Sequence, residues 1–232
     1  MLRSVLLYLL FLSLPICLAA QSSFEELVDH SFGIDQGLVN GIQFSNQYIL
    51  IEGNPYFVSE GYNVGSVCIN NTWYDYVPMR YNLYTQKVEI QYLSREGHMN
   101  QLITVPEKMS AFLLHGYEFR RMQIKKENPS YYMVLSSAET DCFVEWRINA
   151  LGGGSSQRRF GPMKRKYWIS VDEEYVAFDN RKSYLQAFPS ERKKEFKKLV
   201  KSRKFYFQMA TASELEEFIV AALSLYEKGV GP

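Results

Sequence analysis

The chain has 232 residues, 47% of them hydrophobic and 15% aromatic, with 26 Lys/Arg against 25 Asp/Glu. That apolar content excludes intrinsic disorder and supplies a sizeable core, and the near-zero net charge offers nucleic acid no attraction. Three cysteines and three scattered histidines (His30, His98, His115), with no CxxC or Cys/His cluster, give no zinc signature.

The chain opens on an export signal, expected over residues 1–20. Arg3 supplies a short positive region, and Val5 to Leu14 is a nearly unbroken apolar run. That run is too short for a membrane span, which needs about 20 apolar residues. Ala19 and Ala20 precede a cleavage point at Gln21, although Leu18 is not the ideal residue two before Ala20. A lipid-bearing cysteine normally follows a small residue, and Cys17 follows Pro15 and Ile16, which argues against lipidation. The expected product is a soluble exported protein, periplasmic or outer-membrane associated, with one mature domain over residues 21–232. Its charge is bipolar: Arg147 to Lys204 carries 16 Lys/Arg against 6 Asp/Glu, and the rest of the mature chain has the opposite excess.

Residues 48–178 read as β. In "GSVCINNTWYDYVPMRYNLYTQKVEIQYL" the pair Asn70-Asn71 is a hairpin tip, and Asn82-Leu83-Tyr84-Thr85 is a second turn. From Lys87 to Leu93, Val88, Ile90 and Tyr92 fall on one face and Lys87, Glu89 and Gln91 on the other. This is the period-2 pattern of a half-buried antiparallel strand. Similar runs continue through "QLITV", "MSAFLL", "YEFRRMQI", "SYYMVLSSA", "CFVEWRINA" and "KRKYWISV". The expected architecture is β-rich α+β: an antiparallel curved meander, either a sandwich or a partial barrel.

The Gly-rich basic stretch "LGGGSSQRRFGPMKRKYW" lies between two such strands. A phosphate loop needs a helix directly after its glycines, because the helix N-terminus supplies the N–H donors. Pro162 and a β-run follow instead, so the stretch is expected to be a hairpin loop.

Residues 179–232 are expected to be two or three amphipathic helices. Asp179 or Asn180 can cap "RKSYLQAF", and Pro189-Ser190 starts "SERKKEFKKLVKSRK". "FYFQM" is a connector or short strand. Ser213 with Glu216 forms a capping box opening a last helix, with Leu215, Phe218, Ile219, Ala222, Leu223 and Tyr226 on one face.

Catalytic patterns are missing: there is no GxSxG or HExxH. The SxxK match of Ser190 and Lys193 sits in a solvated charge run that cannot depress a lysine pKa. Glu173 and Glu174 alternate faces and cannot converge on one bond. No catalytic, metal or cofactor-binding residue is therefore expected. Asn70-Asn71-Thr72 matches a glycosylation sequon.

Three features remain as candidate sites. The tyrosine-rich stretch, with Tyr62, Trp73, Tyr74, Tyr76, Tyr81 and Tyr84, suits a partner face or ordinary cross-strand packing. Lys193, Lys194, Lys197, Lys198 and Lys201 could contact an anionic surface, a lipid or an outer membrane, or simply form a solvated helix face. Glu191 and Glu195 lie within i+3/i+4 reach of those lysines. Cys68 and Cys142 could pair in an exported compartment or remain small buried thiols.

The elements Gly53-Asn54-Pro55-Tyr56-Phe57, Gly65-Ser66-Val67 and Tyr74 to Tyr84 carry a resemblance. They match the patterns G-x-P-[YF]-[FL], G-x-V and Y-x-x-V-x-[LM]-[KR]-Y-[DN]-x-Y. In these the chain resembles a family of uncharacterised exported proteins widespread in Bacteroidetes, with Asn82 where many members have Asp. The resemblance implies an envelope location and no known activity. Two functions are expected from the whole: a non-enzymatic envelope protein that binds a protein partner, as an accessory subunit of an outer-membrane assembly, or a carrier of lipid or another apolar ligand in a half-barrel pocket.

Overall fold

The computed structural model describes residue 38 and residues 41–228, apart from 46, 47, 49, 95, 96, 139, 154–156, 172, 173 and 189. The expected signal segment, Cys17, Glu173 and Pro189 lie outside the described residues. The strands are β1 (Ile42–Gln43), β2 (Asn63–Ile69), β3 (Thr72–Asn82), β4 (Lys87–Leu93), β5 (Met99–Ile103), β6 (Met109–Leu114) and β7 (Tyr117–Met122). They continue as β8 (Ser130–Ser136), β9 (Asp141–Arg147), β10 (Ala150–Leu151), β11 (Arg159–Phe160), β12 (Lys164–Val171) and β13 (Glu174–Phe178). Three helices follow: α1 (Arg181–Ala187), α2 (Lys193–Arg203), led in by a 3₁₀ turn at Ser190–Arg192, and α3 (Ala212–Glu227).

Eleven strands form one antiparallel sheet in the order β1-β5-β4-β3-β2-β6-β7-β8-β9-β12-β13. The chain meanders outward from β2 to β5, returns to lay β6 against the free side of β2, and meanders the other way to β13. Turn chemistry sets the hairpins. Asn70 and Asn71 both take positive φ (50° and 64°), as do His115 and Gly116, and such turns match the right-handed twist of the strands they join. At Gly65 a Cβ would collide with the Leu113 carbonyl and the Met79 sulfur, so only glycine lets β2 lie between β3 and β6 there. The Gly-rich stretch forms a small ribbon of β10 and β11, and strand β12 follows it, not a helix.

The sheet does not close, but it curls into a partial barrel. Gln86, in the β3–β4 turn, donates to the Trp146 carbonyl at the end of β9 (2.8 Å). Ile148 N–H reaches back to the Leu83 carbonyl (3.3 Å). In sheet order these elements are five steps apart. Inside the curl Phe57 meets Trp146 (5.1 Å) and Tyr81 meets Phe112 (5.1 Å), which stacks on its cross-strand partner Phe119 (4.6 Å).

α3 lies on β8 and β9, α1 lies on β13, and α2 packs on both other helices. Phe196 and Val200 of α2, and the full stripe Leu215, Phe218, Ile219, Ala222, Leu223 and Tyr226 of α3, are buried in the same apolar cluster as the inner face of the sheet. Phe205 and Phe207 of the α2–α3 connector, a turn rather than a strand, join them. Capping differs from expectation at one helix. Asn180 caps α1 as read. At α3 the box is Thr211 with Glu214, two residues before the Ser213–Glu216 pair. Thr211 Oγ1 accepts from Glu214 N–H, and the Glu214 carboxylate accepts from Thr211 N–H. Starting at Ala212 leaves the apolar stripe unchanged while satisfying two end groups.

Candidate functional site

The tyrosine-rich stretch does not make one face. Tyr81 points inward and is fully buried among Phe112, Phe119 and Tyr131. It belongs to the core because it shares the inward parity of Val77 and Met79 on β3. Tyr74 is half-buried against the same core, and Tyr84 packs on Tyr48 (5.4 Å) and Phe160 (5.5 Å). Tyr62 is half-buried over the Arg80 guanidinium, 4.4 Å from its carbon, and burial pushes the Tyr62 phenol up to about 12.

Only Trp73 and Tyr76 are presented to solvent, at 46% and 86% exposure. They sit on the outer face of the sheet, away from the helices. Trp73 pairs with Cys68, and the β2–β3 register slips between Gly65 and Val67, leaving Asp75 and Tyr76 opposite Ser66. Ser66 pairs on its other side with Leu113, also exposed, and Val64 stands two residues along at 66% exposure. Val64, Trp73, Tyr76 and Leu113 therefore surround Ser66, with Asp75 and the Glu118–Arg120 ion pair (2.6 Å) at the edge. An apolar centre inside a charged rim is the anatomy of a protein interface. Tyr76 holds φ +58°, a conformation uncommon for a bulky side chain.

One cluster was not legible in the sequence. Glu89, expected on the solvent face of β4, is only 2% exposed. Arg80 Nε donates to it at 2.7 Å, Tyr56 OH at 3.1 Å and Asn82 Nδ2 at 3.3 Å. The Arg80 guanidinium lies between the rings of Tyr56 (4.1 Å) and Tyr62, with Phe44 beyond (5.2 Å). The segment before β2 covers this outer face: Phe57 N–H donates to the Tyr81 carbonyl and Leu83 N–H to the Pro55 carbonyl. Gly53–Phe57 and Tyr74–Tyr84, read as separate motifs, thus form one unit. The Glu89 carboxylate is satisfied by Arg80, Tyr56 and Asn82, which ties the two motifs together and marks the unit as fold-specifying.

All five lysines of α2 (Lys193, Lys194, Lys197, Lys198 and Lys201) are exposed, and among the described residues none forms an ion pair. Glu195 instead meets Arg192 (2.7 Å), and Glu191 accepts from Ser190. Cys68 and Cys142 are both free and buried, the second of the two alternatives, and the pairing does not form. Cys142 joins the inner core, whereas Cys68 pairs with Trp73 on the outer face. Their strands lie four steps apart, roughly 19 Å along the sheet at the usual strand spacing, far beyond disulfide reach.

A further concavity, about 900 Å³, opens where β13 stops short of β9 and β12. Gln208 caps the unpaired backbone there: its carboxamide accepts from Arg165 N–H (3.0 Å) and donates to the carbonyls of Arg165 (3.1 Å) and Asp179 (2.8 Å). The walls carry Arg147, Lys164, Arg165 and Lys166 against Glu145 and Asp179, with apolar surface from Met163, Phe178 and Met209.

Among the described residues no group of three or more His, Cys, Asp or Glu could hold a metal, and no helix is long and apolar enough to cross a membrane. No family model, no curated protein and no solved structure matches this chain.

Proposed function

We propose that this chain is an exported envelope protein that binds another protein, as an accessory subunit of an outer-membrane assembly, and that the partner docks on the outer face around Val64, Trp73, Tyr76 and Leu113. The observation that carries this reading is Tyr76. A left-handed backbone costs an L-residue roughly 1–2 kcal/mol, yet the Tyr76 ring is 86% exposed and returns little packing within the chain. Strain of this kind, at a bulge whose side chain packs on little within the chain, accompanies functional positions. Trp and Tyr are also the residues that dominate binding energy at interface centres. The substitution Tyr76→Asn tests it, because asparagine tolerates that backbone. The variant is expected to unfold at equal or higher urea concentration while its complex in gently solubilised envelopes shrinks to monomer size. A variant that loses stability and keeps its complex would contradict the reading.

A second reading, an envelope carrier of an apolar ligand, is supported by the cleft at the end of β13. The space inside the partial barrel is occupied by the rings of Phe57, Phe112, Phe119 and Trp146.

A further inference from the structure

We infer that the cleft bounded by β9, β12 and the end of β13 takes a single-chain amphiphile with an anionic head, and that Arg165 receives the head. This deepens the carrier reading and rests on it. Arg165 is 8% exposed, and among the described residues no carboxylate lies within ion-pair distance of it. Its Nη1 donates to the Phe207 carbonyl (3.3 Å), its Nε has no partner, and its guanidinium stacks on Trp146 at 4.3 Å. Burial pushes its pKa below arginine's ordinary value. Tyr167 beside it and Glu214 at longer range favour its charge, but burial outweighs them and among the described residues no counter-ion touches it. A buried charge without a close partner is unfavourable, and an apolar side chain of similar volume would serve packing as well or better.

The surrounding charge and shape say what would compensate it. Arg147 is engaged by Glu145 (2.5 Å) and Lys166 by Glu127 (3.0 Å), whereas Lys164 is exposed and forms no ion pair among the described residues. Lys164 and Lys166, with Arg147 and Glu145 opposite them, alternate with Arg165 and lie on the other face of β12 and β9, so Arg165 alone meets the head on the inner side of the cleft. Met163, Phe178 and the 83%-exposed Met209 offer apolar wall for a chain. A volume near 900 Å³ suits a ligand of lipid size.

The test is calorimetric titration with laurate, dodecyl phosphate and neutral dodecyl maltoside, each below its micelle concentration. One equivalent of an anion is expected to bind, with the neutral amphiphile at least tenfold weaker. Laurate ahead of dodecyl phosphate, or the reverse, identifies the head as carboxylate or phosphate. Arg165→Met is expected to lose at least tenfold in anion affinity while its Tm holds or rises. Met209→Glu, at an exposed position, is expected to weaken the anions more than the neutral probe, because the new carboxylate repels the anionic head as well as removing apolar wall. Equal binding of all three amphiphiles would leave the carrier reading standing and overturn the anionic head. Absence of saturable binding to the wild-type protein would overturn both. Anion binding that survives Arg165→Met but disappears in a Lys197→Gln/Lys201→Gln variant would place the anion on α2 and overturn the inference.

Discussion

The carboxamide of Gln86 donates to the carbonyl of Trp146 at 2.8 Å, tying a turn on one side of the sheet to the end of a strand five steps away. Every hydrogen-bonding position of that carboxamide is used. Its nitrogen also reaches the Leu83 carbonyl (2.9 Å), and its oxygen accepts from Tyr81 OH (2.7 Å) and Ser130 Oγ (2.9 Å). Gln86→Leu would leave the buried Tyr81 and Ser130 hydroxyls unpartnered. The expected loss is about 3 kcal/mol, since each buried unsatisfied group costs about 1–3 kcal/mol. Urea unfolding of the variant checks it, and a loss under 1 kcal/mol would mean that ring packing alone holds the curl.

The Arg80–Glu89 pair makes a second expectation. Arg80→Met leaves Glu89 buried with only Tyr56 and Asn82 as donors. Removing one partner of a buried pair costs about 3–5 kcal/mol, whereas replacing both by apolar groups is often neutral. The double variant Arg80→Met/Glu89→Leu should therefore recover more than half of the stability that Arg80→Met loses. A double-mutant cycle reads the coupling directly. Additive losses would show that the two side chains act independently.

His115 gives the chain a pH dependence. Burial lowers its pKa from the ordinary 6.5, and its Nε2 is buried without a partner. The unfolded chain then takes up a proton at a pH where the native state resists it. This contribution to stability is complete above about pH 6.5 and declines as pH falls toward the native value. His115→Asn, which keeps a residue suited to φ +54°, should flatten the change in Tm between pH 7.5 and pH 5. An unchanged profile would assign the acid sensitivity to other groups.

The two thiols should behave as buried singles. Burial drives the Cys142 thiol far above its normal range, so little thiolate exists at neutral pH. Iodoacetamide at pH 8 is expected to leave Cys142 unmodified in the folded protein and to label it in urea. Mobility on a gel should be the same with and without reductant. A faster band without reductant would contradict the free-thiol assignment.

How much of this was legible in the sequence depended on whether an interaction is local. Hairpin tips at Asn70-Asn71, the strand of Lys87 to Leu93 and the apolar stripe of α3 follow from turn chemistry and periodicity, and each appears where expected. The site residues were less legible because alternation fixes a face but not what covers it. Glu89 lies on the polar side of β4 as read, but Tyr56, with Arg80 and the rings of Phe44 and Tyr62 around it, lies across that side and buries it. Tyr81 and Tyr76 are the same residue type on one strand. The bulge that turns Tyr76 outward depends on the close approach at Gly65, which no spacing rule reveals. Arg165 is one of many cations in a basic run, and only the early end of β13 sets it apart.

Docking on the outer face is tested most directly by a photo-crosslinking residue introduced at Tyr76, with Lys201 as a control on the opposite side of the molecule, irradiated in intact cells. Position 76 should yield a single protein adduct that position 201 does not, and Trp73→Ala should abolish it. Adducts that are absent at 76, or that form equally at both positions, would contradict the claim that this face holds the partner.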